Sequence, residues 1–187
     1  MKRLTLIIIG VLLCTPLYSD MNTYIYGVAS APACSSCNSS TDTRIIDPEL
    51  TATTETNSFL VASQFTLAES ACVTGVWMNC GAARSSGNAL YGEIWSSSEN
   101  NPGALVTGCT GNISLNSILT LGDNEFLFSE TIELPAGTYF IVGRTTGSSQ
   151  WEKGYQAGAG GTERWSTDGV TWSSSTKTKD MGILGCE

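Results

Sequence analysis

The sequence predicts an all-β fold, an antiparallel sandwich whose N-terminal arm is tied down by disulfides. Three observations carry that expectation. Between Gln64 and Val142, short runs rich in Val, Ile, Phe, Tyr and Trp alternate apolar with polar residues, the period-two pattern of half-buried strands. Clusters of Gly, Pro, Asn and Ser separate those runs at short intervals, as turns do. No segment holds a helical period with capping residues at its ends.

The elements follow in order. Met1-Lys2-Arg3 is a basic start, and Leu4 to Leu13 is an apolar stretch broken only by Thr5 and Gly10. A more polar stretch ends near Ser19. Residues 1–19 therefore read as a secretory signal peptide, too short for a membrane helix, which needs about 20 apolar residues. Cys14 raises a lipoprotein signal as an alternative, against which Leu13 stands where a small residue is usual. No later run is long and apolar enough to span a bilayer as a helix, so no membrane insertion is expected after signal removal.

Residues 20–58 read as a short strand, Thr23 to Ser30, followed by a Ser/Thr-rich arm or loop with Pro32 and Pro48. The sandwich domain is expected over residues 59–187, enough chain for one core. Phe65 and Leu67 share a face in its first strand. Cys72, Val76, Met78 and Cys80 share a face in the next, with Trp77 opposite. Leu90, Gly92 and Ile94 then alternate with Tyr91, Glu93 and Trp95. A further strand falls within Ile113 to Leu121. Glu125 to Phe128 and Thr131 to Leu134 flank a short turn, and Pro135-Ala136-Gly137 turns into Tyr139 to Gly143. Trp165 to Trp172 reads as a hairpin around Asp168-Gly169, a strong turn dipeptide. Met181 to Leu184 would close the sheet.

Charge narrows the partners. The chain has 9 basic and 17 acidic residues and no histidine. Loss of Lys2 and Arg3 with the signal would leave a net charge of −10. Scattered acidity of that size disfavours nucleic acid and anionic membrane, both of which need basic patches. It suits a solvated surface outside the cell.

Without Cys14, six cysteines remain: Cys34, Cys37, Cys72, Cys80, Cys109 and Cys186. An even number in an exported chain points to disulfides, and six cysteines allow fifteen pairings. If Cys72 to Cys80 is one strand, its ends lie roughly 26 Å apart at about 3.3 Å per residue. A disulfide spans at most about 7 Å between Cα atoms, so these two should not pair. Cys34-Ser35-Ser36-Cys37 is a CxxC. A redox site would need a βαβ setting, zinc would need further thiolates or histidines, and haem attachment would need a following His where Asn38 stands. Disulfide staples are the expected use.

Several segments together resemble a known group. They are Gln64-Phe65-Thr66-Leu67, Cys72-Val73 to Val76, Glu93-Ile94-Trp95, the loop Pro102-Gly103-Ala104-Leu105, Leu134 to Val142, and the late Trp165 to Trp172. This run, covering about Ser63 to Gly182, resembles the jelly-roll modules of secreted bacterial and phage-associated proteins known as choice-of-anchor domains. The resemblance implies a jelly-roll-like sandwich serving as a surface, adhesion or carbohydrate-contacting module. The extra cysteines and the Cys34/Cys37 arm depart from the usual pattern. Ser166 to Trp172 also looks like the Asp-box of sialidase propellers, but one residue is missing between Asp168 and Gly169. A single copy fits a plain hairpin better.

Catalysis has little to build on. Without histidine there is no Ser-His-Asp triad and no Cys-His pair. The acids Glu93, Glu99, Asp123, Glu125, Glu130, Glu133 and Glu152 offer carboxylates, yet no motif selects a pair among them. No cofactor is expected. Structural calcium is the one candidate, through Asp123-Asn124-Glu125 in an expected loop.

The candidate ligand-binding residues are aromatic. Trp151, Tyr155, Trp165 and Trp172 lie in the Gly-rich segment Gly143 to Lys179, alongside Gln150, Glu152, Arg164 and Asp168. Aromatic faces stack on sugar rings, and exposed Trp and Tyr anchor protein partners. The competing use of these rings is to cap the open end of the sandwich, and Trp95, ending a strand, is expected to be packed. The function expected is therefore a secreted, non-catalytic surface or adhesion module that contacts a glycan or cell-surface partner. The alternative is self-association into an extracellular fibre, with the strand of the N-terminal arm added to a neighbour's sheet edge.

Overall fold

The computed structural model describes Cys34 and residues 43–46, 53–57, 60–81, 89–114, 121–146, 151–157 and 163–186. Among these, period-two segments become strands in chain order. They are β1 (Thr43–Ile46), β2 (Thr53–Asn57), β3 (Leu60–Leu67), β4 (Ala71–Gly81), β5 (Ala89–Ser98), β6 (Asn101–Ser114) and β7 (Gly122–Leu134). There follow β8 (Gly137–Thr145), β9 (Trp151–Ala157), β10 (Glu163–Ser166), β11 (Ser173–Ser174), β12 (Lys177–Lys179) and β13 (Met181–Cys186). Every pairing among them is antiparallel.

Two sheets result. One has seven strands in the order β1-β13-β4-β9-β12, with β2 also on β9 and β7 on β4. The other has six in the order β11-β10-β3-β8-β5-β6. Their facing sides enclose the core, with Val61, Phe65, Ile94 and Ile141 from the six-stranded sheet against Val76, Met78, Phe126 and Ile183 from the seven-stranded one. In β4, Val76, Met78 and Cys80 enter this core as expected and Trp77 takes the other face, also buried, but the bulge between Val73 and Gly75 shifts the alternation, so Val73 and not Cys72 joins the core. Along one side the sheets nearly touch. A Cβ on Gly111 of β6 would lie 2.5 Å from the Phe126 carbonyl of β7, so only glycine fits there.

The core has a polar end. Lys179 of β12 and Glu163 of β10 form an ion pair of 3.3 Å that bridges the two sheets. Lys153 lies 4.5 Å from the centroid of the Trp151 ring. Both lysines are fully buried.

Three expectations about elements change. The Ser/Thr-rich arm supplies strands: β1 borders β13 and β2 borders β9. Backbone pairing recruits these residues where no apolar alternation marks them, and the Ile of β1 and the Thr of β2 suit a pleated strand. The expected loop at Pro102 to Leu105 is part of β6, because the turn falls earlier. Glu99 and Asn100 take φ of 51° and 63° between the paired Ser98 and Asn101, as a two-residue hairpin turn requires. Pro102 is tolerated because β6 is an edge strand. Last, the turn expected between Phe128 and Thr131 is a bulge within β7, where Val73 pairs with Ile132 but Gly75 pairs with Leu127. The strand expected at Thr23 to Ser30 lies outside the described residues.

Cys34 is bonded to Cys72 with Cα atoms 5.6 Å apart, which fastens the arm to the start of β4. The expectation of disulfides at Cys80 and Cys109 is corrected: both are free, buried thiols. Cys80 pairs with Gly122 at one end of β4. Gly108, next to Cys109, abuts Ile132, which pairs with Val73 near the other end. Roughly 20 Å of strand separates those positions, far beyond disulfide reach. Burial pushes both thiols up to about 12, so neither is a thiolate at neutral pH. Cys186 ends β13 directly opposite Cys72. Cys37 lies outside the described residues.

Candidate functional site

The aromatic segment divides between two places. Trp151 is fully buried, 0 % exposed, in the core between the sheets. Gly143 makes room for it, since a Cβ there would come 2.6 Å from the ring. Trp165 also packs against this core. Tyr155 sits in β9 between Thr53 of β2 and Lys179 of β12, and its side chain lies outside the described residues. Trp172 goes elsewhere. It packs on the outer face of the six-stranded sheet with Leu60 and Trp95, over Ala62, Phe140 and Val142. The four residues therefore do not line one face, and the fully buried Trp151 cannot stack on a sugar.

The register of the six-stranded sheet shows what surrounds Trp172. One rung runs Leu105, Trp95, Phe140, Gln64 across β6, β5, β8 and β3. The next runs Thr110, Glu93, Val142, Ala62, Arg164. A third runs Asn112, Tyr91, Arg144. Side chains of alternate rungs share a face, and here that face is the outer one. It places Trp95, Glu93, Tyr91 and Arg144 on that face, with Trp95 against Trp172.

The hydrogen bonds on this face are short and mutual. Arg144 Nη2 donates to Glu93 Oε1 at 2.6 Å, and its Nε donates to both carboxylate oxygens at 3.0 Å. Trp95 Nε1 donates to Glu93 Oε2 at 2.9 Å. The guanidinium lies over the Tyr91 ring, 4.3 Å from its centroid. The hydrogen bonds to Glu93 raise the Arg144 pKa further, so this arginine is always charged. Glu93 is 1 % exposed and the Arg144 side chain 31 %, so one edge of the pair meets water. With both oxygens engaged by fixed donors, Glu93 has no free proton-transfer role; it orients Arg144 and Trp95. Trp95 and Trp172 meet edge to face, with centroids 6.2 Å apart. Leu105, 44 % exposed, continues the apolar strip past Trp95.

The loop carrying Trp172 is held by its own hydrogen bonds. Asp168 Oδ1 accepts from the Val170 and Thr171 backbone N–H groups, each at 2.8 Å, and from the Ser166 hydroxyl at 2.9 Å. The Ser166 hydroxyl in turn accepts from Gly169 N–H at 2.9 Å. Gly169 takes φ of +76°, which favours glycine. The Thr171 and Val170 N–H groups lead in holding the Asp168 carboxyl down to about 2. The sequence Ser166 to Trp172 thus builds a hairpin loop, β10 to β11, that lays Trp172 on the sheet. Asp168 is committed to this loop, and Arg164 donates to the Asn100 and Glu163 carbonyls.

The calcium candidate falls within β7, a strand and not a loop. Asn79 donates to Asp123 Oδ1 at 3.1 Å, and the Asn124 amide donates to the Cys80 and Gly122 carbonyls. Among the described residues, no group of three or more acidic, thiol or imidazole side chains is arranged to hold a metal ion. Sequence reasoning missed Tyr91, Glu93 and Arg144 as site residues. The signal was present in the alternation of Tyr91, Glu93 and Trp95 against Leu90 and Ile94: a strand with two large aromatics and an acid opposite its core face. No known protein family matches this chain, and no curated protein matches it.

Proposed function

We propose that this protein is a secreted, non-catalytic surface module that binds glycan through the outer face of its six-stranded sheet. The observation that carries the reading is the pairing of Trp95 and Trp172 beside the Arg144–Glu93 pair on that face. An aromatic surface stacks on the apolar side of a sugar ring, while a fixed guanidinium edge donates to its hydroxyls or carboxylates. Both elements are set by sheet register and a self-bonded loop, so little ordering cost falls on binding. The signal-like N-terminus and the Cys34–Cys72 disulfide support an extracellular or cell-surface address. The absence of histidine from the sequence and the engagement of Glu93 by Arg144 and Trp95 support a binding role over catalysis.

The test is an oligosaccharide array probed with the exported protein. Binding to a defined set of glycans is expected. Its loss in Trp95→Ala and Trp172→Ala variants that keep their circular dichroism spectrum is expected as well. Absence of any glycan binding by the wild-type chain, or full binding by both folded variants, rejects the reading.

A further inference from the structure

We infer that Lys179 and Glu163 condense into an isopeptide bond that joins the two sheets at the polar end of the core. Lys179 stands in β12, at the margin of the seven-stranded sheet, where it pairs with Tyr155 of β9. Glu163 begins β10 of the six-stranded sheet, opposite the buried Ser63 of β3. The two side chains meet between the sheets, with Nζ 3.3 Å from Oε1, and both are buried. The carboxylate is poorly compensated for so enclosed a place. Its Oε2 is buried with no hydrogen-bond partner, and the contact of its Oε1 is longer than the about 2.7–2.9 Å of a strong charge-assisted bond.

The Arg144–Glu93 pair supplies the contrast. There both carboxylate oxygens are engaged, the shortest bond is 2.6 Å, and one edge meets water. That pair is complete as an ion pair. Lys179–Glu163 has no such edge, and a buried pair that keeps its charges carries a desolvation cost that only good geometry offsets. An amide has no charge, so condensation removes that cost. Lysine also brings an amine, a group that attacks carbonyl carbon once it has lost its proton.

The step needs no reagent beyond the two side chains. The ammonium passes one proton across the contact to Oε1, which leaves an amine facing a carboxyl group, both uncharged as a low-dielectric core favours. The amine lone pair attacks Cδ, so the Nζ–Cδ bond forms and the Cδ–Oε1 bond breaks. Oε1 takes a second proton from the nitrogen and departs as water, and Oε2 becomes the amide oxygen. Nothing is oxidised or reduced. The fold holds the two groups in contact, which removes much of the entropic barrier to their reaction. Lys153 is held over the Trp151 ring instead and stays a free amine. The link fastens β10 to β12, strands of four and three residues, and so closes a covalent ring around the loop that carries Trp172. The inference stands without the glycan reading.

The test is mass spectrometry of the exported full chain after reduction of its disulfides. Wild type should be lighter than its sequence by one water. Lys179→Arg keeps the charge but cannot close the amide, and it should show its full sequence mass. Trypsin should release the wild-type peptide Gly154–Arg164 joined to the peptide that begins at Thr178, with no cleavage after Lys179. Full sequence mass in wild type overturns the proposal. So does a link through Lys153, or a water lost elsewhere, such as by cyclisation at Asp168-Gly169. If Lys179→Arg does not fold, the wild-type peptides alone decide.

Discussion

Trp151 and Trp172 lie in one Gly-rich segment, yet they end on opposite sides of the six-stranded sheet. Trp151 fills the space over Gly143 inside the sandwich. Trp172 is laid on the outer face by a loop that bonds to itself. The difference shows that the count of aromatics in a segment says little about a binding face. What decides is which side of the sheet each ring reaches, and register and loop geometry set that. The inner rings contribute stability. The outer rings, with Arg144 and Tyr91, form the face on which the proposed glycan binding rests.

That contrast can be broken by substitution, and the largest effect belongs to the inner ring. Trp151→Ala leaves a cavity against Gly143 and Met78, and should cost about 3–5 kcal/mol in urea denaturation. Arg144→Met should cost less, about 2 kcal/mol, because it strands the buried Glu93 carboxylate but leaves water at the exposed edge. A loss under 0.5 kcal/mol would mean that the pair contributes nothing net. Trp172→Ala, on a half-buried ring, should cost about 1–2 kcal/mol while abolishing glycan binding.

The two free thiols sharpen the inner side of the comparison. Cys80 and Cys109 should resist a disulfide reagent in the native protein at pH 8 and react fully in guanidinium chloride, because burial holds both thiols near 12. Fast native labelling of either thiol would show that the core opens around it.

The smallest effect concerns the outer loop and is read by pH. The Asp168 carboxyl is held down to about 2, below its ordinary value near 4. Its contribution to stability is therefore fully present above about pH 4 and is lost as the pH falls toward about 2. Wild type should melt slightly above Asp168→Asn at pH 6, and the gap should close by pH 2. A gap independent of pH would assign the difference to something other than the charge.

Much of the fold was legible in the sequence. Alternation in β3, β4, β5 and β8 marked the core faces, and Asp168-Gly169 marked a hairpin. β1 and β2 were not legible, since β1 is only the four residues Thr43-Arg44-Ile45-Ile46 and β2 is polar throughout, and neither carries a period-two apolar pattern. The Glu99-Asn100 turn was masked by a more conspicuous Pro102-Gly103. The site was half legible. Trp172 stood out as an aromatic beside a turn, but its neighbours came from β5 and β8, more than fifty residues away in sequence for Trp95. Only sheet register joins them. Trp151 was misread because a ring among glycines suggests an open loop, whereas Gly143 is small in order to admit that ring to the core.

The central claim is that the outer face, and not the inner aromatics, meets the ligand. Oxidative footprinting of the five tryptophans, with and without the tightest glycan from the array, tests it most directly. Trp95 and Trp172 should be modified in the free protein and protected by the glycan, while Trp77 and Trp151 stay unmodified in both. Modification of Trp151 in the native protein, or glycan protection that spares Trp95 and Trp172, would contradict the account.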